Sequence, residues 1–97
     1  MRFLLAVALA ALQAAAVAQG TAGRDLAASC AQCHGTQGRS VSTEVTALAG
    51  LPKDLIVQRM QEFRDGKRPA TVMHQLAKGY TDAQIDRIAG YFAGQRK

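Results

Sequence analysis

The sequence predicts an all-α fold, and two stretches of apolar residues at helical spacing support this prediction. In residues 55–63 the apolar positions recur along one side of a helix, and residues 85–92 form a second stripe of this kind. Thr81, followed by Gln84 three residues later, is typical of a helix N-terminus. Residues 41–45 could pass for a strand, but no partner strand is evident. We therefore expect short helices and no sheet.

The start of the chain has the pattern of a secretory signal peptide. A positive charge at Arg2 precedes an apolar run, and residues 16–18 (Ala-Val-Ala) fit the small-residue cleavage pattern. A membrane anchor is the alternative, but the apolar run is interrupted by Gln13 and is too short to span a bilayer. We expect residues 1–18 to be removed on export to the periplasm, leaving residues 19–97 as one domain with no membrane span.

The mature part is expected to form four short helices separated by segments that contain glycine or proline. Residues 19–23 are expected to be a flexible lead-in, and residues 35–50 a loop rich in Ser, Thr and Gly. Pro52 suits the first turn of a helix, and Gly66 suits the position after its end. The predicted helices span residues 24–33, 52–66, 71–78 and 81–94.

Cys30, Cys33 and His34 form the sequence Cys-Ala-Gln-Cys-His, which is the C-x-x-C-H pattern of covalent haem attachment. Residues i, i+3 and i+4 share one face of a helix, so these three side chains point the same way. The thiols can form thioethers with the two vinyl groups of one porphyrin, and the imidazole can be the proximal iron ligand. No other cysteine is present in the chain. We therefore expect one covalently bound haem c.

Three other functions of the two cysteines remain open. A thiol–disulfide redox pair normally belongs near a βαβ pattern, which this sequence lacks. A structural zinc site requires four nitrogen or sulfur ligands, and the distant His74 would have to be the fourth. A structural disulfide between residues three apart is the last alternative. The histidine that directly follows the second cysteine favours haem attachment over all three.

The second axial ligand is expected to be Met73. Methionine opposite histidine closes the sixth position of the iron and raises its potential. Met60 lies within a helical apolar stripe, so we expect it in the core. His74 is the rival ligand, although a solvated histidine is its more ordinary role. If Met73 does not bind iron, an open sixth position would favour a haem enzyme or a binder of small ligands.

Net charge favours a protein partner over nucleic acid. The formal net charge of +5 is low for a nucleic-acid-binding protein, and no basic stretch is interleaved with aromatic residues. A modest positive charge instead suits electrostatic steering towards an acidic protein surface. The basic residues that could form such a docking surface are Arg59, Arg64, Lys67, Arg68 and Lys78. An ordinary solvated surface is the alternative interpretation of these residues.

The chain resembles the class I cytochromes c, and in particular the small bacterial monohaem type. This type includes a domain of dihaem cytochromes and the cytochrome subunit of flavocytochrome c sulfide dehydrogenases. The attachment motif within Ala-Ala-Ser-Cys-Ala-Gln-Cys-His-Gly is the strongest match, and the segment from Lys-Arg-Pro to Lys-Gly-Tyr-Thr-Asp is more specific to this subgroup. The matching positions are residues 27–35, 48–51, 63–69, 73, 77–85 and 91–92.

This resemblance implies a class I cytochrome c fold wrapped around one haem. It implies thioethers at Cys30 and Cys33, with His34 and Met73 as the axial ligands. It also implies single-electron transfer in the periplasm, without substrate turnover at the haem. The implied partner is a redox protein, either a flavoprotein (sulfide) dehydrogenase of which the chain is the electron-accepting subunit, or another protein served by a free-standing shuttle.

The resemblance also implies that the first helix packs across the last, with Ala27 at the close approach. One departure concerns the loop after the motif, where the family usually has a proline beside the carbonyl that accepts the Nδ1–H of the proximal histidine. This loop has no proline, and Thr43 and Thr46 stand in the corresponding region. We therefore expect a backbone carbonyl near Thr43 or Thr46 to accept this bond, in a looser loop.

Overall fold

The computed structural model describes residues 2–97, with side chains described at residues 2–9 and 22–97. Over this range the chain is helical and has no strand, which confirms the all-α prediction. Single turns of 3-10 helix lie at Ala28–Cys30 and Thr36–Gly38. The α-helices within residues 2–97 are α1 (Arg2–Ala27), α2 (Ala31–His34), α3 (Lys53–Arg64), α4 (Met73–Ala77) and α5 (Asp82–Ala93).

Helix α1 is longer than predicted, and two details of the sequence-based prediction are wrong. Residues 19–23, expected as a flexible lead-in, lie inside α1, which ends at Ala27 and does not continue to Cys33. The alanine-rich stretch of residues 6–18 favours a helix because alanine has the highest helix propensity, and this helix continues through the two glycines of residues 19–23. The predicted cleavage pattern at residues 16–18 lies outside the described side chains. At the other end of α1, Phe3 and Leu9 are exposed and add nothing to the core.

The later helices follow the sequence-based predictions closely. Pro52 occupies the N-cap position of α3 with φ −56°, and Gly66 follows its end with φ +73°, a conformation that favours glycine. Helix α4 is shorter than the predicted span of residues 71–78, because Val72 has a non-helical backbone (φ −138°). Thr81 and Gln84 form both halves of the capping box that begins α5, which confirms this start signal.

The core lies where the end of α1 crosses α5, as expected. Ala27, Ile88 and Phe92 are almost fully buried and belong to one apolar cluster. Gly23 allows the helices to approach closely, since a Cβ atom there would lie 2.8 Å from the carbonyl oxygen of Arg87. Helix α3 packs against both α4 and α5. The helices therefore form one packed unit around α5.

The loop between α2 and α3 is closed by backbone hydrogen bonds. The carbonyl of Gly38 accepts from the N–H groups of Leu48 (2.8 Å) and Ala49 (3.1 Å). The N–H of Gly50 donates to the carbonyl of Phe92 (2.9 Å), which ties the loop to the end of α5. Gly38 has φ +80° and faces the Phe92 ring, so a side chain would not fit there. These bonds close the loop of residues 39–47 at its base, next to the attachment motif.

Candidate haem-attachment site

The attachment motif lies at the junction between the first 3-10 turn and α2. Cys30 ends the turn and packs against the apolar core, whereas Cys33, in α2, is exposed. Both thiols are free, so the structural disulfide that the sequence left open is not formed here. Gly35 ends α2 with φ +84°, and its N–H donates to the carbonyl of Ala31 (3.0 Å). The short helix thus places the two thiols and His34 within five consecutive residues of ordered backbone.

His34 is oriented by the loop. Its Nδ1 lies 2.6 Å from the carbonyl oxygen of Thr46, and as the N–H tautomer it donates to that oxygen. The expected acceptor region near Thr43 and Thr46 is therefore correct, and the acceptor is the carbonyl of Thr46. A partner that fixes Nδ1 as the donor leaves Nε2 unprotonated and able to bind iron.

Met73 and Cys30 pack against the same apolar cluster from separate segments of the chain. Met73 is the first residue of α4 and is half-buried, and Cys30 is half-buried as well. Met60 is buried within α3 at 9% exposure, which confirms its predicted place in the core. Two free thiols and an oriented imidazole within one motif are the groups that covalent haem attachment requires, and Cys30 and Met73 adjoin one apolar cluster. The residues present therefore fit the group.

His74 differs from the solvated histidine expected from the sequence. Its ring is half-buried, and Nδ1 is covered and has no hydrogen-bond partner within the described part of the chain. A covered polar atom without a partner carries a desolvation cost. No sequence pattern indicated this, because the burial of His74 depends on the packing of α4.

The environment of Cys30 does not favour redox thiol chemistry. Burial raises the pKa of the Cys30 thiol, whereas catalytic cysteines have a lowered pKa that makes the thiolate available.

Among the side chains at residues 2–9 and 22–97, no group of three or more His, Cys, Asp or Glu is placed to hold a metal ion. Within the same residues, no helix is long and apolar enough to cross a membrane.

Three of the five basic residues considered for a docking surface, Arg59, Arg64 and Arg68, pair with neighbouring carboxylates. Glu62 pairs with Arg59 (3.4 Å) and with Arg68 (2.8 Å). Arg64 pairs with Asp82 (2.5 Å), and this hydrogen bond raises the pKa of the guanidinium. The ordinary solvated surface is therefore the better description of the three arginines. In the described part of the chain, Lys67 and Lys78 form no ion pair.

Comparison of the sequence with known proteins identifies the family of this chain. The family model for cytochrome c matches residues 20–95. The chain belongs to the cytochrome c family. Cytochromes c hold haem c covalently and carry electrons, and Cys30 and Cys33 fit the C-x-x-C-H motif of that attachment. The class I resemblance found in the sequence is confirmed at this level.

Three curated relatives indicate the range of similar proteins. The cytochrome subunit of sulfide dehydrogenase from Chlorobaculum tepidum is 41% identical over 75 residues, which are 77% of this chain and 67% of that protein. The thiosulfate dehydrogenase electron acceptor of Thiomonas intermedia is 40% identical over 96% of this chain and 44% of its own length. Cytochrome c-554(548) of Halomonas halodenitrificans is 32% identical over 76% of this chain and 93% of its own length.

The lengths of these relatives differ from that of this cytochrome. The chain spans about two thirds of the sulfide dehydrogenase subunit, but less than half of the thiosulfate dehydrogenase acceptor and of the cytochrome c4 from Pseudomonas aeruginosa.

Proposed function

We propose that this cytochrome c carries single electrons in the periplasm through one haem c. In this proposal Cys30 and Cys33 form the thioethers, and His34 and Met73 are the axial ligands of the iron. The observation that supports it most directly is the hydrogen bond between His34 Nδ1 and the carbonyl oxygen of Thr46, 2.6 Å apart. An imidazole fixed in this tautomer is a ready iron ligand, because the acceptor at Nδ1 leaves Nε2 free to bind the metal.

The proposed role of each residue follows from its position. When bound, the haem supplies a reversible one-electron iron couple. Cys30 would anchor the porphyrin to the apolar cluster, because its side chain packs there. Thr46 would keep the His34 ring in one orientation in both oxidation states. Met73, half-buried against the same cluster, would exclude water from the sixth position.

The proposed partner is a flavoprotein dehydrogenase that oxidises sulfide, with this chain as its electron-accepting subunit. The 41% identity to the cytochrome subunit of a sulfide dehydrogenase supports this partner. A free-standing electron shuttle is the second candidate, because the chain covers 93% of cytochrome c-554(548), whose name includes no dehydrogenase. Co-purification of a stoichiometric flavoprotein with the tagged cytochrome from its native host distinguishes the two.

Export is also part of the proposal. We propose that residues 1–18 are a signal peptide and that residues 19–97 are the mature domain. The exposure of the apolar side chains at the start of α1, such as Phe3 at 88% and Leu4 at 75%, supports this, because they contribute nothing to the core. Mass spectrometry of the exported protein tests the proposal, since an N-terminus at Gln19 and the added mass of one haem are expected.

The axial ligands are tested by spectroscopy of the holoprotein, co-expressed with a haem maturation system. We expect the weak near-infrared band of methionine bound to ferric iron in the wild type, and its loss in Met73→Ala. Met60→Ala is the matched control, because it removes a buried methionine sulfur without removing the proposed ligand. A band that survives in Met73→Ala, or a colourless export product with free thiols, contradicts the proposal.

Carbon monoxide tests the sixth position independently. A six-coordinate carrier resists carbon monoxide in its ferrous form, whereas an open site binds it readily. We expect the wild type to resist and Met73→Ala to bind. Rapid binding by the wild type would favour the ligand-binding or enzymatic alternative.

A further inference from the structure

A surface cavity of about 320 Å³ lies between the loop after α2 and the end of the chain. Two basic side chains stand at its edge above a largely apolar floor. This volume is within the range of small-ligand pockets. The cavity is lined by Arg39, Ser40, Ala47, Ala49, Leu51 and Lys97.

The fold positions the Arg39 guanidinium through two hydrogen bonds and places the aliphatic stem of Lys97 beside Gly50. The Nε of Arg39 donates to the carbonyl of Arg96 (2.8 Å), and its Nη1 donates to Oε1 of Gln37. Nη2 remains for a ligand. The stem of Lys97 lies over Gly50, since a Cβ atom there would be 2.8 Å from Lys97 Cγ. A positioned guanidinium loses less conformational entropy on binding an anion than a mobile one.

Within the described residues, these cations form no ion pair. The ion pairs among residues 2–9 and 22–97 involve Arg24, Lys53, Arg59, Arg64 and Arg68, and none involves Arg39, Arg96 or Lys97. Glu44, in the same loop, and the carboxylate that ends the chain pair with none of the three. A positive cavity in which two neighbouring cations lack an acidic partner attracts an anion.

We propose that this cavity binds an oxyanion between Arg39 and Lys97, and that the bound anion lowers the reduction potential of the haem. The ligand chemistry is a sulfate, phosphate or carboxylate group, which a guanidinium recognises through charge-assisted hydrogen bonds. The group comes either from a free inorganic anion or from an acidic polypeptide. The effect on the reduction potential rests on the proposed electron-carrier function, whereas the binding of the anion does not.

The effect on the haem follows from the position of the cavity. Ala47 lines it and directly follows Thr46, whose carbonyl accepts the hydrogen bond from His34. A negative charge held next to this loop favours the ferric over the ferrous state, because the ferric iron carries one more positive charge. Any shift of Ala47 on binding would also reach the His34 ring through the Thr46 carbonyl.

The first part is tested by nuclear magnetic resonance of the ferrous holoprotein. Sodium sulfate is added to the protein in one titration and a hexaglutamate peptide in a second. Sodium chloride at equal ionic strength is the control for both. We expect saturable amide shifts in residues 39–51 and 95–97. Saturation by sulfate assigns a free oxyanion, and saturation by the peptide alone assigns an acidic polypeptide. Shifts that follow ionic strength whatever the anion would overturn the proposal.

Single-residue variants test whether the anion binds in this cavity. Arg39→Gln and Lys97→Gln should each weaken binding by about tenfold, as expected for the loss of one charge-assisted contact. Lys67→Gln, which removes a cation that does not line the cavity, should bind as the wild type does. Binding that persists in the Arg39→Gln, Lys97→Gln double variant overturns the site.

Spectroelectrochemistry tests the second part. Saturating sulfate should lower the potential of the wild type and leave that of the Arg39→Gln, Lys97→Gln double variant unchanged. Equal potentials with and without sulfate in the wild type contradict the coupling. If the proposed ligation is wrong, the near-infrared band of the wild type is absent while the amide shifts remain. Failure of the proposed axial ligation can therefore be distinguished from failure of anion binding.

Discussion

The Nδ1 atom of His34 lies 2.6 Å from the carbonyl oxygen of Thr46, twelve residues away along the chain. The bond is made to the backbone, so it does not depend on the Thr46 side chain. The loop that presents this carbonyl is closed at its base by the carbonyl of Gly38, which accepts from Leu48 and Ala49. The orientation of His34, the proposed iron ligand, therefore depends on the conformation of the loop backbone.

Thr46→Pro should preserve this bond. Within the described part of the chain the N–H of Thr46 donates to no other group, so proline removes no hydrogen bond. Proline restricts the unfolded loop, and a backbone at residue 46 with φ of about −65° raises the free energy of unfolding by about 0.4–1 kcal/mol, whereas another φ lowers it. Thermal unfolding of the holoprotein measures this. Thr46→Ala is the control and should change neither spectrum nor stability appreciably; a changed haem spectrum in either variant contradicts the backbone assignment.

Two helical glycines should respond in opposite ways to alanine. A Cβ atom at Gly23 would lie 2.8 Å from the carbonyl oxygen of Arg87 and would push α1 away from α5. We expect Gly23→Ala to destabilise the protein by about 1–3 kcal/mol through overpacking. Gly90 is exposed in α5, and its nearest neighbour would be Lys53 Cε at 4.0 Å. Gly90→Ala should stabilise by about 0.8–1 kcal/mol through helix propensity.

Denaturant unfolding of the two holoproteins measures this difference. Equal effects of the same sign would contradict the close crossing of α1 and α5 at Gly23. The comparison is controlled internally, because both variants add one methyl group to a helical backbone.

The sequence predicted those features that arise from local signals. Pro52 and Gly66 delimit α3, and Thr81 with Gln84 begins α5, because these residues act on backbone groups within one turn. The attachment motif is local for the same reason. The length of α1 was missed because a run of alanines favours a helix in the absence of a break, and glycine alone does not end it.

Features that depend on distant contacts could be predicted only in part or not at all. The resemblance limited the acceptor for His34 to a short segment, but only the folded loop places the carbonyl of Thr46 on Nδ1. The bond between Arg39 and Arg96 joins residues 57 apart, and no pattern in either segment indicates it. The ion pair between Arg64 and Asp82 could not be predicted either, because it joins the end of α3 to the start of α5.

His74→Phe should increase stability and leave the haem spectrum unchanged. The Nδ1 of His74 is covered and lacks a partner within the described residues, so a ring of similar shape without nitrogen removes a desolvation cost. We expect the free energy of unfolding to rise by about 1 kcal/mol, measured by thermal unfolding of the holoprotein. His74→Gln, which keeps a polar group there, should not gain this stability. A lost near-infrared band or a changed spin state in His74→Phe would instead make His74 an iron ligand.

Without haem the chain should be largely unfolded. Four of the nine buried core residues described are alanines, and only one of the nine, Phe92, is aromatic. A domain of this size with so little buried apolar volume is marginal, and a porphyrin packed against Cys30 and Met73 would supply what is missing.

The Cys30→Ala, Cys33→Ala double variant tests this dependence, because it cannot form either thioether. We expect its colourless fraction to have a weak helical signal by circular dichroism and no cooperative thermal transition, whereas the wild-type holoprotein should have both. The absorbance of each sample confirms whether haem is retained without covalent attachment. A colourless variant with a full helical signal and a sharp transition would mean that the protein core, and not the porphyrin, determines the fold.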